Sequence, residues 1–415
     1  MNRLVLQLFR ITAFLLLVNV INAGAQVSKK AHKRIAKLTS EKFFGRGYVK
    51  GGDSIAADYL AKQFKQTGLL PIDANYFQKF TFSVNTFPNQ IFVNIAGKAL
   101  KPGYDFIVEA ASGRADVTCK LFNVTDSVLP LPQSECAYVI SKKYFTTASN
   151  KTALKNWLLT LPNNSGVVLL EPEKLTWTVA TQRNSYWGIT VLEKVWPKAD
   201  SITVNISSHF KPVHATQNVI GYLPGNISDT FMVVTAHYDH LGGMGDKVFF
   251  PGANDNASGV SMLLDVAQHF ALLKNRKYSM LFIAFAGEEA GLIGSKYYVD
   301  NPLKPLSTIK FLINLDLLGT GDEGLMVVNA VDNMEAFNKL DSINEADKLL
   351  PVISKRGKAA NSDHYWFGEK KVPAVFLYTM GGIKAYHDVF DIAKTLPLTK
   401  YNEVFSLLTT FIKTF

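Results

Sequence analysis

Three apolar, β-prone runs in the 415-residue chain stop abruptly at residues able to bind a metal ion or carry a proton. Phe231 to Ala236 leads into His237, Tyr238 and Asp239; Tyr278 to Ala286 into Gly287, Glu288 and Glu289; Ile309 to Leu315 into Asp316. Short continuous apolar runs read as strands buried on both faces, and open α/β sheets place their chemistry just beyond the carboxyl ends of such strands. Between the first two runs lies Gly252 to Gly259 (GANDNASG), followed by the apolar-periodic Val260 to Leu273. That pattern predicts a loop entering a helix, which brings Asp255 to the same edge. Tyr386 and His387 follow further on. A lone His or Asp at a strand end is usually structural, but this combination is different. Glu288 and Glu289, adjacent at the end of a buried strand, repel each other unless cations compensate. Two divalent cations balance three carboxylates and a bridging hydroxide, which meets the neutrality that a partly buried site demands. Oxygen and imidazole ligands without sulfur suit zinc, and manganese or cobalt fit the same set.

Other chemistries lack their motifs: there is no H-E-x-x-H, no P-loop and no G-x-S-x-G. The hydrophobic fraction of 47% and charged fraction of 19% describe a globular chain. The formal charge of +10 is scattered rather than striped, a solubility trait more than a nucleic-acid footprint, so no nucleic-acid partner is expected. The two cysteines, Cys119 and Cys136, either close a bridge worth about 2 to 4 kcal/mol or stay as buried thiols. Neither lies near the acidic edge.

Four parts follow from the elements that must position these residues. Residues 1–25 read as a secretory signal peptide: Arg3 and Arg10, an apolar stretch from Ile11 to Ile21 broken by Asn19, then Ala23, Gly24 and Ala25. The stretch is short for a bilayer, so the expectation is an exported protein, periplasmic or secreted, with no stable membrane anchor once the signal is removed. Helices are predicted over Ala31 to Leu38 and Ser54 to Phe64, the second stopping near Gly68, with a turn at Phe43 to Gly47 and a strand over Phe77 to Phe87. From 97 to 211 short β-prone runs alternate with turn residues, and four of the five tryptophans fall here. This segment is expected to form an inserted, mostly β domain. Residues 26–96 and 212–415 then make a discontinuous α/β domain, a central mixed, mostly parallel sheet flanked by helices.

At these residues the sequence resembles the M28 family of zinc peptidases, the co-catalytic aminopeptidase and glutamate-carboxypeptidase group. The matching segments are HYDHLG (237–242), GANDNASGV (252–260), FAGEEAGLIGS (285–295), NLDLLG (314–319), SDH (362–364) and YHDVFD (386–391), with FFGRG and GGDSIAADYLAKQF upstream. The resemblance implies two zinc ions. Asp255 would bridge them, with His237 and Asp316 completing one and Glu289 and His387 the other. Glu288 would be the general base, Tyr386 would stabilise the oxyanion, and Asp239 would orient His237 through its carboxylate. Ile383 and Ile392 depart from the residues frequent in relatives. The insert sits where some relatives carry a protease-associated domain, and is expected to influence which substrates enter. The implied substrate is a peptide or dipeptide. An aminopeptidase releasing neutral, apolar amino-terminal residues is expected, because Glu288 and Asp316 can hold an α-ammonium. A carboxypeptidase of the same family would instead need a basic grip such as Arg356 or Lys384. Two further rivals are a glutaminyl cyclase, whose relatives usually read GATDS where this chain reads GANDN, and a binding ectodomain of the transferrin-receptor kind, which has lost ligands that are all present here.

Overall fold

The computed structural model describes residues 27–415, so the predicted signal segment lies outside the described residues. Its central sheet has eight strands, numbered here in chain order: β1 Phe77–Thr86, β2 His209–Leu223, β3 Ile227–His237, β4 Tyr278–Phe285, β5 Ile309–Leu315, β6 Gly324–Val328, β7 Ile353–Lys355 and β8 Ala374–Met380. They lie in the order β1-β2-β4-β3-β5-β8-β6-β7. The middle four, β4-β3-β5-β8, run parallel, β1 and β2 pair antiparallel with their neighbours, and β6 pairs antiparallel with β8 and parallel with β7. The connection after β3 runs to β4 on one side while that after its neighbour β5 runs to β6 on the other, and this divergence opens a crevice at the carboxyl ends of the two strands. The apolar runs are nearly continuous because both faces are covered. Met232, Val234 and Ala236 of β3 pack into one core with the helices over 27–38, Gly52–Thr67, Gly259–Leu272 and Tyr401–Lys413. Phe231 and Val233 face the other core, where Tyr298 and Phe367 come from the short helices Ile293–Asp300 and His364–Glu369.

Gly68 stops the helix Gly52–Thr67 at a left-handed φ of 87°, where a residue with a Cβ is strained. The turn before this helix packs through a different kind of contact. A Cβ on Gly47 would stand 2.4 Å from the Gly242 backbone, so the FFGRG turn and the HLGG loop can touch only as glycine against glycine.

A second eight-stranded sheet takes its strands from Phe92–Ile95 through to Ser201–Ile206 and shares none with the first. Four of its strands, Ala115–Val124, Cys136–Ser141, Gly166–Glu171 and Trp187–Leu192, are mutually parallel in chain order, with the helix Ala148–Leu158 between the second and third. One of its two cores, built on Val93, Phe106, Ile189 and Val204, also takes in Leu241, Met244, Phe250 and Val389 from loops of the central sheet. Cys119 and Cys136 are both buried and free; burial, then the neighbouring Cys136, pushes the Cys119 thiol up to about 11. No helix among the described residues is long and apolar enough to cross a membrane.

Candidate metal centre

His237 ends β3, Glu288 and Glu289 follow β4, Asp316 follows β5, and Tyr386 and His387 lie in the loop after β8. The parallel register sets His237 level with Phe285, so the four strand ends deliver their side chains to one edge. Asp255 arrives on the 252–259 loop ahead of the helix Gly259–Leu272. That loop is tied to the segment after β5: Asn256 donates to the Leu315 carbonyl at 3.0 Å, Leu318 N donates to Ser258 Oγ at 2.8 Å, and Gly319 N to Asn254 Oδ1 at 2.9 Å. Gly259 is required for this closeness, since its Cβ would sit 2.6 Å from the Leu315 oxygen.

The two carboxylate oxygens of Asp255 face different histidines. Oδ1 is 3.3 Å from His237 Nε2 and Oδ2 is 3.0 Å from His387 Nε2. Asp316 Oδ1 stands 3.4 Å from His237 Nε2 on the first side, and Glu289 Oε2 stands 3.2 Å from His387 Nε2 on the second. Each imidazole turns its other nitrogen to a backbone carbonyl: His237 Nδ1 lies 3.2 Å from the Asp239 oxygen, and His387 Nδ1 lies 3.0 Å from the Trp177 oxygen. Donation from Nδ1 fixes Nε2 as the nitrogen that faces the carboxylates, the orientation a metal ligand needs.

The expected carboxylate support of His237 by Asp239 is replaced by this carbonyl contact. The nearer Asp239 carboxylate oxygen is 3.9 Å from His237 Nδ1, beyond hydrogen-bonding range. Instead, Asp239 accepts from Tyr48 Oη at 2.5 Å and from the backbone amides of Glu288 and Glu289 at 3.3 Å each. A carboxylate two residues beyond β3 reaches the turn after β4 because the strands are neighbours, and there it braces the two glutamates.

Several supporting residues carry no clear sequence signal. His240 donates from Nδ1 to Glu289 Oε1 at 2.6 Å, and Ser362 donates to Asp316 Oδ2 at 3.0 Å while accepting from Asn314 at 2.8 Å. Asp391 accepts from the amides of Asn254 at 2.8 Å and Asp255 at 3.0 Å. Arg46 is fully buried and spends its guanidinium on five carbonyls, those of Leu38, Tyr238, Pro251, Gly252 and Asp255. Only the positions of His240, Ser362 and Asp391 within the HYDH, SDH and YHDVFD segments could have drawn attention to them.

Electrostatics sort these groups. Burial opposes ionisation of Asp255, but His237 and His387 outweigh it and hold its carboxyl well below the usual range. Burial and Asp255 likewise oppose the charge on Glu289, and His387 with His240 brings it down to about 2. Burial opposes the His387 imidazolium, yet Glu289 and Asp255 push it up to about 11. Glu288 goes the other way. Burial raises it well above an ordinary glutamate, and Glu289, Asp363 and Asp316 add to the rise against His237. Tyr386 stacks on His387 with ring centroids 4.0 Å apart, and burial followed by the surrounding carboxylates keeps its hydroxyl protonated.

The residues present fit metal ions. Two overlapping sets, His237 with Asp255 and Glu289, and His237 with Glu288 and Asp316, each hold ligand atoms within 4.8 Å of one another. The buried Asp316 Oδ1 accepts no hydrogen bond, so it keeps a lone pair for a cation. Arg46, which reaches the Asp255 carbonyl, is already committed to carbonyls. Beside the site opens a cavity of about 450 Å³, lined by Leu292, Leu317, Phe376 and Tyr378 on its apolar side and by Thr178, Arg356 and Asn361 elsewhere. Lys384 is not part of that wall, and Ile383 packs against the core of the central sheet.

An open α/β sheet with imidazole and carboxylate groups converging beyond its parallel strands defines a fold with a metal-ready centre. Residues 218–412 match the model of peptidase family M28. The chain is similar to the aminopeptidase YwaD of Bacillus subtilis, 37% identical over 159 residues that cover 37% of this chain and 33% of that one. It is also similar to a probable leucine aminopeptidase of Arthroderma otae, 31% identical over 164 residues, 38% of this chain and 44% of that one. These alignments span a third to less than half of the curated relatives' length. In fold the chain is similar to a zinc aminopeptidase from Bacillus subtilis, with a TM-score of 0.69 and 20% identity over 93% of this chain and 94% of that one. A similar likeness holds to an aminopeptidase from an Aneurinibacillus strain, with a TM-score of 0.64 and 20% identity over 94% and 95%.

Proposed function

We propose that this protein is an exported two-zinc metallopeptidase, an aminopeptidase that releases neutral, apolar amino-terminal residues. One observation carries the reading: the Asp255 carboxylate presents one oxygen to His237 and Asp316 and the other to His387 and Glu289, the arrangement of a bridging ligand between two cations. His237, Asp255 and Asp316 would hold one ion, and Asp255, Glu289 and His387 the other. Bound there, the pair of ions would polarise the scissile carbonyl and acidify water. Glu288, with its raised proton affinity, takes a proton from the attacking water and hands it to the leaving amine. Tyr386, held protonated at the cavity wall, donates to the oxygen that gains negative charge. Leu292, Leu317, Phe376 and Tyr378 offer an apolar side-chain pocket, and the surrounding carboxylates favour an α-ammonium. The aminopeptidase names of the relatives agree with this polarity.

A carboxypeptidase or dipeptidase is the second reading, favoured by one feature, the exposed Arg356 in the cavity wall. The test combines chelation with blocked substrates. Chelator should abolish hydrolysis of an aminoacyl anilide and zinc restore it, at two ions per active chain. One ion per active chain revives the cyclase. A peptide with an acetylated amine should resist cleavage while its carboxyl-amidated counterpart is cut; the reverse outcome selects the carboxypeptidase. Export is tested by the amino terminus of the protein recovered outside the cytoplasm, expected at Gln26.

A further inference from the structure

The two halves of the centre are supported differently. His237 takes its carbonyl partner from Asp239, two residues along the same strand end, so this half is held within the central sheet. His387 takes its partner from Trp177, 210 positions away, in the segment between the strands Gly166–Glu171 and Trp187–Leu192 of the second sheet. The contact is reciprocal. Trp177 N donates to the His387 carbonyl at 2.9 Å while the His387 ring meets the Trp177 carbonyl at 3.0 Å. Between these bonds His387 adopts a left-handed φ of 53°, a conformation that persists in a non-glycine residue only when its surroundings impose it.

Beside its contacts with Asp255 and Glu289, the loop is held by several groups that belong to the second sheet. Lys174 Nζ donates to the carbonyls of Lys384 at 2.6 Å and Tyr386 at 2.9 Å, and pairs with Asp388 Oδ2 at 2.8 Å. Val389 is buried in the core of the second sheet, and Phe390 meets the Tyr104 ring edge-on at 5.7 Å. Trp177 is itself anchored, its indole donating to the Val108 carbonyl at 2.7 Å and stacking on Phe250 at 4.6 Å. The His387 loop thus follows β8 in sequence but is docked on the other sheet.

We propose that the 172–180 segment is the positioning element for His387, fixing its ring and tautomer through the Trp177 carbonyl, so that the Glu289–His387 half of the centre is complete only while the two sheets are docked. The second sheet then does more than shape substrate entry: Lys174 and Trp177 are positioning residues for one metal ion of the pair and not for the other. This inference rests on the metal reading given above.

The experiment is competitive metal binding to the full-length protein. Wild type, Lys174→Ala, Lys174→Arg and Trp177→Phe are titrated with zinc against a chromophoric chelator, and with cobalt followed by its visible spectrum. Wild type should take up two ions. Lys174→Ala should keep one at wild-type affinity and bind the other 10- to 100-fold more weakly, the usual effect of losing a partner that orients a ligand, with an altered cobalt spectrum for that ion only. Trp177→Phe, which keeps the stack but loses the indole donor, should shift the same ion in the same direction, and Lys174→Arg should restore most of the loss. Two ions bound by both loss variants with wild-type affinity and spectrum would overturn the proposal, as would equal weakening of both ions. Fewer than two ions on the wild type overturns the metal reading and this inference with it.

Discussion

Asp255 shows how much a single side chain can be asked to do, and the residues around it are testable one at a time. Glu288 is the acid whose proton affinity burial raises, whereas its neighbour Glu289 is held ionised. Glu288→Gln should therefore retain the metal content of the wild type while lowering turnover by about 10² to 10⁴-fold. Loss of an ion from this variant, measured by elemental analysis, would mean that the two glutamates exchange roles. Arg46 makes the opposite kind of prediction, one of stability. Its guanidinium satisfies five buried carbonyls, including that of Asp255, and burial lowers it to about 10 despite the nearby carboxylates. Arg46→Met should cost at least about 3 kcal/mol in denaturant unfolding, since several acceptors are left buried without donors. Arg46→Lys should recover little of it, because one ammonium cannot reach carbonyls spread across the plane of a guanidinium.

Short elements carry consequences that their length conceals. The helix His364–Glu369 starts at a histidine 1% exposed, whose two ring nitrogens have no hydrogen-bond partner and whose affinity for a proton is lowered by burial to about 4. The unfolded chain binds that proton near pH 6.5, so between about 4 and 6.5 the unfolded state holds more protons than the folded one. This contribution is fully present above pH 6.5 and is lost as the pH falls towards 4, a swing of roughly 3 kcal/mol. Asp239 and Asp391, raised by burial to about 6, act with the opposite sign, so the difference between wild type and His364→Phe isolates the histidine. The variant should lose less stability on acidification; parallel curves would refute the assignment. In the second sheet, Cys119 and Cys136 lie on adjacent parallel strands as buried thiols. Alkylation without reductant should modify neither at an appreciable rate in the native protein and both after denaturation. A mass showing no free thiol in the denatured chain would establish the bridge instead.

At the scale of the whole molecule, one sheet supplies most of the site's side chains and the other supplies the contact that fixes His387. Several of these features are legible in the sequence for a physical reason. Strands buried on both faces must be continuously apolar, so β3, β4 and β5 stand out as runs, and the polar residues that end them are conspicuous by contrast. β5 occupies Ile309–Leu315, the very span of its apolar run, and the GANDNASG loop enters a helix as its pattern predicts. Contacts that depend on folding back leave no such trace. Nothing local relates Arg46 to the Asp255 carbonyl, Ser362 to Asp316, or Asp391 to the amides of the 252–259 loop. The family resemblance implied the Asp239 carboxylate at His237, but strand pairing brings the Glu288–Glu289 turn closer. The Trp177 carbonyl is a backbone group, and every residue has one. The sequence by itself determined which side chains could bind and transfer protons, because residue type and strand periodicity are local properties. Only the tertiary structure decided which backbone atoms hold them, because a carbonyl acquires its role from where the chain returns in space.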